Sequence, residues 1–505
     1  MQQIAARFGF LWAALLGILS FPPLPLAPLA WIALVPFLLA CFHESPGRVF
    51  GRAYLAGFVF FAGICYWIGL NKGAPPALTW ASMLATVAIL ALIWGISAAV
   101  CSWAMQRAKE WAALLLPFLY VSFEMFFGLG EMGFAWPIWA LSQANLLLPC
   151  QICDLTDVFG LSFWVVTLNS LLFLALRLRG TSRRMLFGIG LAVFIVPWLY
   201  GAIRLTGFRD ARQVRIGVVQ ADIPAERKWE MPADETIALY EKQSEIVLAA
   251  RPAFLVWPET AVPVPLRFRP WARGEIHAWV NRVGVPLLTG ALDYDSENER
   301  NGLPLNAAFL IAPDSRELPR YAKIHLVPFG ERIPGQRLFP FLGKIRLGQA
   351  EFAPGKSLTI FEPMPQTKVG CLICFEVVFP EVAAGLVREG ADILVNLTND
   401  GWYGNSSGPY QHLALARLRA ITTRRSIARA ANTGISAMIA PTGRTMNQAG
   451  VGRQSALVAE LPLCSEITLA VRFAAWLQPL LALGVILGIL LCRKKGKSPS
   501  SPGSS

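Results

Sequence analysis

Charged residues are scarce in this sequence. Of its 505 residues only 15% are Asp, Glu, Lys or Arg, whereas 55% are hydrophobic. Soluble globular proteins carry about 25% charged residues, so this composition excludes an ordinary soluble chain and indicates that part of the protein lies in lipid. The formal net charge is +13, but the basic residues fall in short clusters between apolar runs, where membrane topology signals lie. We therefore predict no nucleic-acid partner.

The nine cysteines lack the regular spacing of a disulfide scaffold. Two CxxC pairs occur, Cys150 with Cys153 and Cys371 with Cys374. The second pair lies in a strand-like run, where positions three apart point to opposite faces of a sheet and cannot share one metal ion. We therefore predict no metal and no cofactor. A disulfide between Cys150 and Cys153 stays open if their loop is extracytoplasmic, and so does the state of Cys371.

Long apolar runs fill most of the first 200 residues, and one more lies near the C-terminus. A bilayer core takes about 20 helical residues, and most of the runs reach or approach that length, so the sequence predicts a bundle of about eight spans. Pro22, Pro23 and Pro25 follow the first run where a signal peptide would have a small-residue cleavage site, which indicates that this run is retained. The runs are 8–21, 24–42, 53–70, 78–105, 111–127, 159–176, 185–200 and 473–492.

Positive charge is distributed unevenly between the loops. If every run crosses once, the short loops on one side contain only Lys72, and the other basic loop residues lie on the opposite side. Because Lys and Arg are retained in the cytoplasm, both termini are predicted to be cytoplasmic and the long segment 204–472 to be outside. The predicted cytoplasmic residues are Arg7, Arg48, Arg52, Arg107, Lys109, Arg177, Arg179, Arg183, Arg184, Arg493, Lys494, Lys495 and Lys497.

The segment 204–472 differs in pattern from the apolar runs around it. Its hydrophobic stretches are short and strand-like, and helical patterns lie between some of them, notably at 236–249 and 410–425. This alternation predicts a mixed α/β globular domain that is large enough to bury its own core. We therefore divide the chain into a transmembrane bundle (1–203), a globular domain (204–472), an eighth span (473–492) and a disordered polar tail (493–505).

Three strand-like runs end in residues that could take part in catalysis. Glu259 follows the run 254–257 in WPET, Lys323 lies in KIHLVPFGE, and Cys374 begins CFEVVFPE, with Glu376 two residues on. Taken singly, a buried cysteine is most often an inert hydrophobe, Glu259 a solvated loop residue and Lys323 a lysine whose stem packs on apolar surface. Together they supply the base and the positive charge that a thiol nucleophile needs.

These three motifs resemble those of the nitrilase (carbon-nitrogen hydrolase) superfamily. In combination with many membrane spans, the chain resembles one family in particular, the bacterial apolipoprotein N-acyltransferases. The resemblance implies an αββα sandwich with a catalytic triad at Glu259, Lys323 and Cys374. It also implies supporting or substrate-binding roles for Glu331, Phe375, Glu376, Trp229, Asn399 and Trp402.

The resemblance further implies a two-step, ping-pong reaction. A membrane phospholipid would donate an acyl chain to Cys374 as a thioester, and the α-amine of the diacylglyceryl-cysteine of an apolipoprotein would then accept it. Glu259 would act as general base, Lys323 and the backbone N–H of Phe375 would stabilise the oxyanion, and Glu331 would hold the lysine. The enzyme would be a monomer in the bacterial inner membrane, with its catalytic domain on the periplasmic side.

Two other functions stay open at this point. A membrane-tethered nitrilase or amidase would use the same triad with water as the second nucleophile, although a tether needs only one span. A transporter needs ionisable groups deep in its spans, whereas Glu124 is about the only acidic residue in any apolar run.

Aromatic residues occur in two loops of the globular segment, Phe268 with Trp271 and Phe339 with Phe341. We predict that these loops dip into the headgroup region and gate the entry of lipid. The alternative is that they are ordinary core residues.

Overall fold

The computed structural model describes residues 2–206, 211–224, 226–296, 302–335 and 351–495. The helices, in chain order, are α1 (Gln2–Ser20), α2 (Val35–His43), α3 (Pro46–Cys65), α4 (Pro76–Ala108), α5 (Leu116–Phe126), α6 (Leu147–Cys150), α7 (Cys153–Arg177), α8 (Gly180–Arg204), α9 (Ala233–Leu248), α10 (Pro270–Val283), α11 (Pro380–Arg388), α12 (Ser407–Thr423), α13 (Leu469–Arg472) and α14 (Ala474–Lys495). The strands are β1 (Gln213–Gln220), β2 (Phe254–Val256), β3 (Val262–Pro265), β4 (Leu287–Tyr294), β5 (Pro304–Ile311), β6 (Arg320–Ala322), β7 (Ile360–Met364), β8 (Thr367–Ile373), β9 (Ile393–Thr398), β10 (Ile427–Ala431), β11 (Ala437–Ile439), β12 (Thr445–Gln448) and β13 (Ser455–Pro462).

The apolar runs form helices, as the sequence predicts. In the described part of the chain, five helical segments are long and apolar enough to cross a membrane: Pro46–Leu70, Pro76–Phe126, Cys153–Arg177, Gly180–Arg204 and Ala474–Lys494. The first two runs form only the shorter apolar helical segments Phe8–Ser20 and Ala27–His43, and the fourth and fifth lie in one segment of 51 residues. The predicted count of eight spans is therefore not confirmed.

The 51-residue segment is divided by a change of backbone conformation. Helix α4 carries one charged residue, Arg107 in its last turn, and ends where Lys109 adopts a left-handed φ of 54°. A 3-10 turn, Lys109–Leu115, then leads into α5. The 33 residues of α4 measure about 50 Å, more than the roughly 30 Å of a bilayer core.

Helix α7 lies at the centre of the bundle. In its most apolar window 78% of the residues are buried, against 17% in α8 and 11% in α14, whose side chains therefore face lipid. Asn169 of α7 accepts a hydrogen bond from Leu34 N and donates one to Ala30 O. It thereby satisfies backbone groups where the second apolar run is not a continuous helix, which a hydrocarbon environment requires.

The globular segment consists of two stacked sheets. The first has the strand order β13-β1-β2-β4-β5-β6 with β3 on β4, and the second β12-β11-β10-β9-β8-β7. The inner faces of the two sheets bury one apolar core, which includes Val218, Val256, Ile373 and Val395. Helices α9 and α10 cover the outer face of the first sheet. Helices α11 and α12 pack on the second sheet and share one core with the bundle, so the predicted αββα sandwich is confirmed.

Candidate active site

Cys374 stands at a sharp turn at the end of β8. The sequence predicts it inside a strand, but the strand ends at Ile373, and Cys374 begins a 3-10 turn, Cys374–Val378, with a φ of 51°. A non-glycine residue in the left-handed region is strained and persists only where its surroundings hold it. Its carbonyl oxygen lies 3.1 Å from His412 Nε2 and 3.4 Å from Asn396 Nδ2. Cys374 is partly exposed, whereas the other eight cysteines are buried.

The buried carboxylate of Glu376 ties this turn to the segment that carries Lys323. Its Oε2 accepts a hydrogen bond from Ile373 N at 2.7 Å. Its Oε1 accepts from Ile324 N at 2.7 Å and from the Tyr321 hydroxyl at 2.8 Å. Burial raises the pKa of Glu376, and these hydrogen bonds oppose the rise. The carboxylate therefore fixes the nucleophile's turn against the residues next to the lysine.

Lys323 and two carboxylates form a buried cluster beside the thiol. The ammonium Nζ of Lys323 lies 2.9 Å from Glu331 and 3.6 Å from Glu259 Oε1. Asn306 of β5 joins the two acids, because its Nδ2 donates to Glu259 Oε1 at 2.7 Å and to Glu331 Oε1 at 3.2 Å. Glu259 follows β2, Lys323 follows β6 and Cys374 follows β8, so the three side chains meet where strands of both sheets end.

The electrostatics of the site favour a protonated thiol at rest. Burial, together with the negative charge of Glu259, raises the pKa of Cys374 to about 12, although Lys323 acts in the opposite direction. Burial alone would lower the pKa of Lys323, but the carboxylates of Glu331 and Glu259 outweigh it and raise the pKa. The lysine therefore stays an ammonium ion, and the thiol would need a base to become a thiolate.

A second buried network supports the carbonyl of Cys374. His412 of α12 lies with Nδ1 2.8 Å from Asp400 Oδ1, and Arg429 Nη2 donates to Asp400 Oδ2 at 2.7 Å. Burial by itself would raise the pKa of Asp400, but Arg429 and His412 lower it to about 2. The charged carboxylate thus holds the imidazole against the nucleophile's backbone.

The other residues implied by the resemblance lie around this centre. Phe375 is buried against Phe379, with ring centroids 4.9 Å apart, and Asn399 accepts a hydrogen bond from Thr433 Oγ1 at 2.7 Å. Trp402 accepts one from Lys72 N of the bundle at 2.9 Å. Trp229 is 49% exposed on a neighbouring segment.

Of the aromatic loop residues, Trp271 is 47% exposed, whereas Phe268 packs edge-on against Tyr294. Phe339 and Phe341 lie outside the described residues. The gating role of the two loops stays a prediction.

Three residues of the site were not predicted from the sequence: Asn306, His412 and Lys228. Asn306 is one polar residue in an apolar strand and gives no local signal. His412 could have been found, because the chain has only four histidines. Lys228 adjoins Trp229 and is 2% exposed, and its Nζ donates to Glu259 O at 2.9 Å and to Thr260 Oγ1.

The remaining cysteines take no part in the site. Cys150, Cys153 and Cys371 are buried free thiols, so the structure contains no disulfide between the first two. In the described ranges, no group of three or more His, Cys, Asp or Glu side chains is placed to hold a metal ion.

Residues of the membrane bundle contact helix α12 next to His412. Trp136 and Trp67 both donate from Nε1 to Gln411 Oε1 of α12, at 2.8 Å and 3.2 Å, and the Trp136 ring lies 5.1 Å from that of His412. A cavity of about 320 Å³ opens where the two parts of the chain meet, and it is lined by residues that follow Lys323 in the chain. Its lining includes Gly130, Glu131, Gly133, Ile324, His325, Leu326 and Phe379.

Buried ion pairs join the same two parts. Arg424 Nη2 donates to Asp154 Oδ2 at 2.6 Å, and Arg424 Nη1 donates to Gln151 Oε1 at 2.6 Å. Arg419 of α12 pairs with Asp157 of α7 at 3.2 Å. The globular domain that carries Cys374 is thus held against the membrane helices by buried charges.

Comparison with known proteins assigns the family. Residues 215–468 match the carbon-nitrogen hydrolase family, and residues 13–171 match the apolipoprotein N-acyltransferase N-terminal domain. The apolipoprotein N-acyltransferase of Geobacter metallireducens is 33% identical over 470 residues, which cover 90% of each chain. That of Chlorobaculum tepidum is 34% identical over 489 residues, again 90% of each chain. The chain belongs to the apolipoprotein N-acyltransferase family.

Membership makes the protein an acyltransferase enzyme, and its apolar helices fit a bacterial membrane protein. Among solved structures, a Nesterenkonia amidase of the nitrilase superfamily is similar, with 18% identity and a TM-score of 0.39 over 51% of this chain and 93% of the amidase.

Proposed function

We propose that the enzyme transfers an acyl chain from a membrane phospholipid, through a thioester on Cys374, to the α-amine of the diacylglyceryl-cysteine of a bacterial apolipoprotein. One observation carries the proposal. A fully buried ammonium, Lys323, lies 3.6 Å from Glu259 and 2.9 Å from Glu331, in electrostatic contact with a partly exposed thiol. A base, a fixed cation and a nucleophile are the parts that acyl transfer needs.

The first half-reaction acylates the cysteine. Glu259 takes the proton of the Cys374 thiol as sulfur attacks the ester carbonyl carbon of the phospholipid. Lys323 and the backbone N–H of Phe375 stabilise the oxyanion that forms. The ester C–O bond then breaks, Glu259 returns the proton to the leaving alkoxide, and lysophospholipid departs. Removing one oxyanion donor typically costs about 3 kcal/mol or more in the barrier.

The second half-reaction transfers the chain to the amine. The unprotonated α-amine attacks the thioester carbonyl, Glu259 accepts a proton from the nitrogen, and the C–S bond breaks. The thiolate of Cys374 recovers that proton, and the product is an amide. Because a covalent intermediate separates the two substrates, the kinetics are ping-pong.

The position of the site suits lipid substrates. Both substrates are anchored in one leaflet, and the largely apolar cavity next to Ile324 and Leu326 opens where the catalytic domain meets the bundle. We propose that residues 1–203 and 473–492 hold the enzyme in the inner membrane, and that residues 204–472 carry the chemistry on the periplasmic side. Residues 493–505 would form a cytoplasmic tail. The enzyme is proposed to act as a monomer.

Incubation with radiolabelled phospholipid tests the proposal. Wild-type enzyme is expected to form an acyl adduct that hydroxylamine releases and that a diacylglyceryl-cysteine peptide removes as an N-acyl product. Cys374→Ala should form no adduct, whereas Cys371→Ala, a buried cysteine in the same strand region, should retain it. Hydrolysis of small amides without any lipid adduct would instead identify a tethered amidase.

A further inference from the structure

We propose that Lys228 is a positioning residue for acyl transfer, because its buried ammonium donates hydrogen bonds to the turn that carries Glu259. The inference rests on the proposed function and extends it to a residue outside the triad. Lys228 lies in the short segment between β1 and α9, far in sequence from Glu259.

The ammonium group of Lys228 contacts the backbone of Glu259, the proposed base. Its Nζ donates to the carbonyl oxygen of Glu259 at 2.9 Å and to Thr260 Oγ1. In the described part of the chain, no carboxylate forms an ion pair with this ammonium. A lysine is rarely buried without such a partner, since the charge loses its hydration. A charged group that stays buried despite this desolvation cost is typical of functional sites.

The turn that Lys228 holds is strained. Thr260 is β-branched and adopts a left-handed φ of 47°, a conformation that such residues avoid. The two hydrogen bonds from Lys228 reach both sides of the peptide between Glu259 and Thr260. They hold the carboxylate of Glu259 in the orientation in which Asn306 and Lys323 contact it.

The same ammonium is coupled to the nucleophile. Burial lowers the pKa of Lys228 to about 8, and the negative charges of Glu259 and of an ionised Cys374 oppose this shift. The other titratable groups coupled to the sulfur are Glu259, Lys323, Asp400 and Tyr403. The charge of Lys228, which is coupled to Glu259 and Cys374, is thus lost within an accessible pH range.

This coupling predicts the pH dependence of thiol alkylation. Cys374 is the one cysteine that is not buried, so iodoacetamide should react there first. An ionised Cys374 contributes to the Lys228 pKa of about 8, but the resting thiol is protonated, so Lys228 should lose its proton at or below that pH. Below this point the logarithm of the rate should rise by about one per pH unit. Above that pH it should flatten, because deprotonation of Lys228 makes the thiol harder to ionise.

Four variants test the inference. Lys228→Met removes charge and donors, and Lys228→Gln keeps a donor without charge. In both variants iodoacetamide should react with Cys374 several-fold more slowly near neutral pH. The change of slope near pH 8, called the break below, should be lost. Thr260→Val removes only one acceptor and should keep the break. Lys242→Met, which removes an exposed lysine of α9, should match the wild type throughout.

Acyl transfer provides the second readout. Both Lys228 variants should lower kcat about ten-fold or more, with KM for phospholipid nearly unchanged, because the residue acts on the base and not on bound lipid. If Lys228→Met does not fold, Lys228→Gln decides the question. An unchanged break or a kcat within two-fold of wild type in a folded Lys228 variant, or the same loss in Lys242→Met, overturns the inference. If wild-type enzyme forms no acyl adduct but the alkylation break depends on Lys228, the proposed function fails and the positioning role of Lys228 stands.

Discussion

Glu331 joins three partners in the site. Its carboxylate lies 2.9 Å from Lys323 Nζ and accepts hydrogen bonds from Asn306 Nδ2 at 3.2 Å and from Val327 N at 2.8 Å. It balances the charge of the fully buried lysine and fixes its direction. Loss of one partner from a buried pair is costly, because the other charge stays buried without compensation.

We therefore expect Glu331→Gln to lower kcat about 100-fold, since Lys323 would no longer be held toward the oxyanion. The KM for phospholipid should change little, and the measurement is the rate of adduct formation and transfer. Glu317→Gln, an equal change at an exposed position, serves as the control. A kcat within two-fold of wild type would show that Glu331 does not hold the lysine.

Sequence motifs located three residues that the structure gathers in one cluster, although their catalytic roles stay predictions. Each of Glu259, Lys323 and Cys374 follows a strand and has a recognisable local sequence. Asn306 and Lys228 have none, because their importance arises only from contacts with residues distant in the chain. The strain at Cys374 was not predicted either, because periodicity does not show where a buried strand gives way to a turn.

Strand β4 packs directly against the backbone of the turn that carries Glu259. Gly290 of β4 donates from N to Pro258 O, and the two backbones are very close here. A Cβ at position 290 would lie 2.5 Å from Pro258 O, 2.6 Å from Thr260 N and 2.8 Å from Glu259 Cα. All three atoms belong to backbone, so they cannot move aside cheaply.

Gly290→Ala should accordingly displace Glu259 and reduce acyl transfer at least ten-fold, because small misplacements of catalytic groups are costly. Gly274→Ala is the matched control. Gly274 lies in α10 with open space around its Cα, and alanine there should stabilise the helix by about 1 kcal/mol. Thermal unfolding and transfer rates of both variants are the measurements. Full activity of Gly290→Ala would mean that the turn tolerates the shift.

The broad architecture could be read from hydropathy, whereas the helix count could not. Apolar composition indicates which segments lie in lipid, but it does not show where a helix breaks. The 3-10 turn at Lys109–Leu115 is an exception, because it begins in the charged gap between the fourth and fifth apolar runs. The second apolar run carries no such signal, and Asn169, a contact 135 residues away, satisfies its broken backbone.

The membrane orientation of the enzyme is open to direct measurement. In a Cys374→Ala background the eight remaining cysteines are buried, so a new surface thiol should dominate labelling. Lys242→Cys in α9 should react with a membrane-impermeant maleimide from the periplasmic side. Arg179→Cys, between α7 and α8, should react only after the membrane is permeabilised, because clustered arginines are retained in the cytoplasm. The reverse pattern would refute a periplasmic active site.

The ion pairs of Arg419 and Arg424 bear on how the enzyme is made. Both guanidinium groups are almost fully buried against acidic residues of α7. Removing the partner of one such buried charge costs about 3–5 kcal/mol of stability. That is a large part of the roughly 5–15 kcal/mol by which a typical domain is stable. The globular domain should thus reach its native fold only after the bundle has inserted. A chain that fails to insert into the bilayer would not reach its native fold and would not meet its lipid substrates. Such a chain should therefore be inactive elsewhere in the cell.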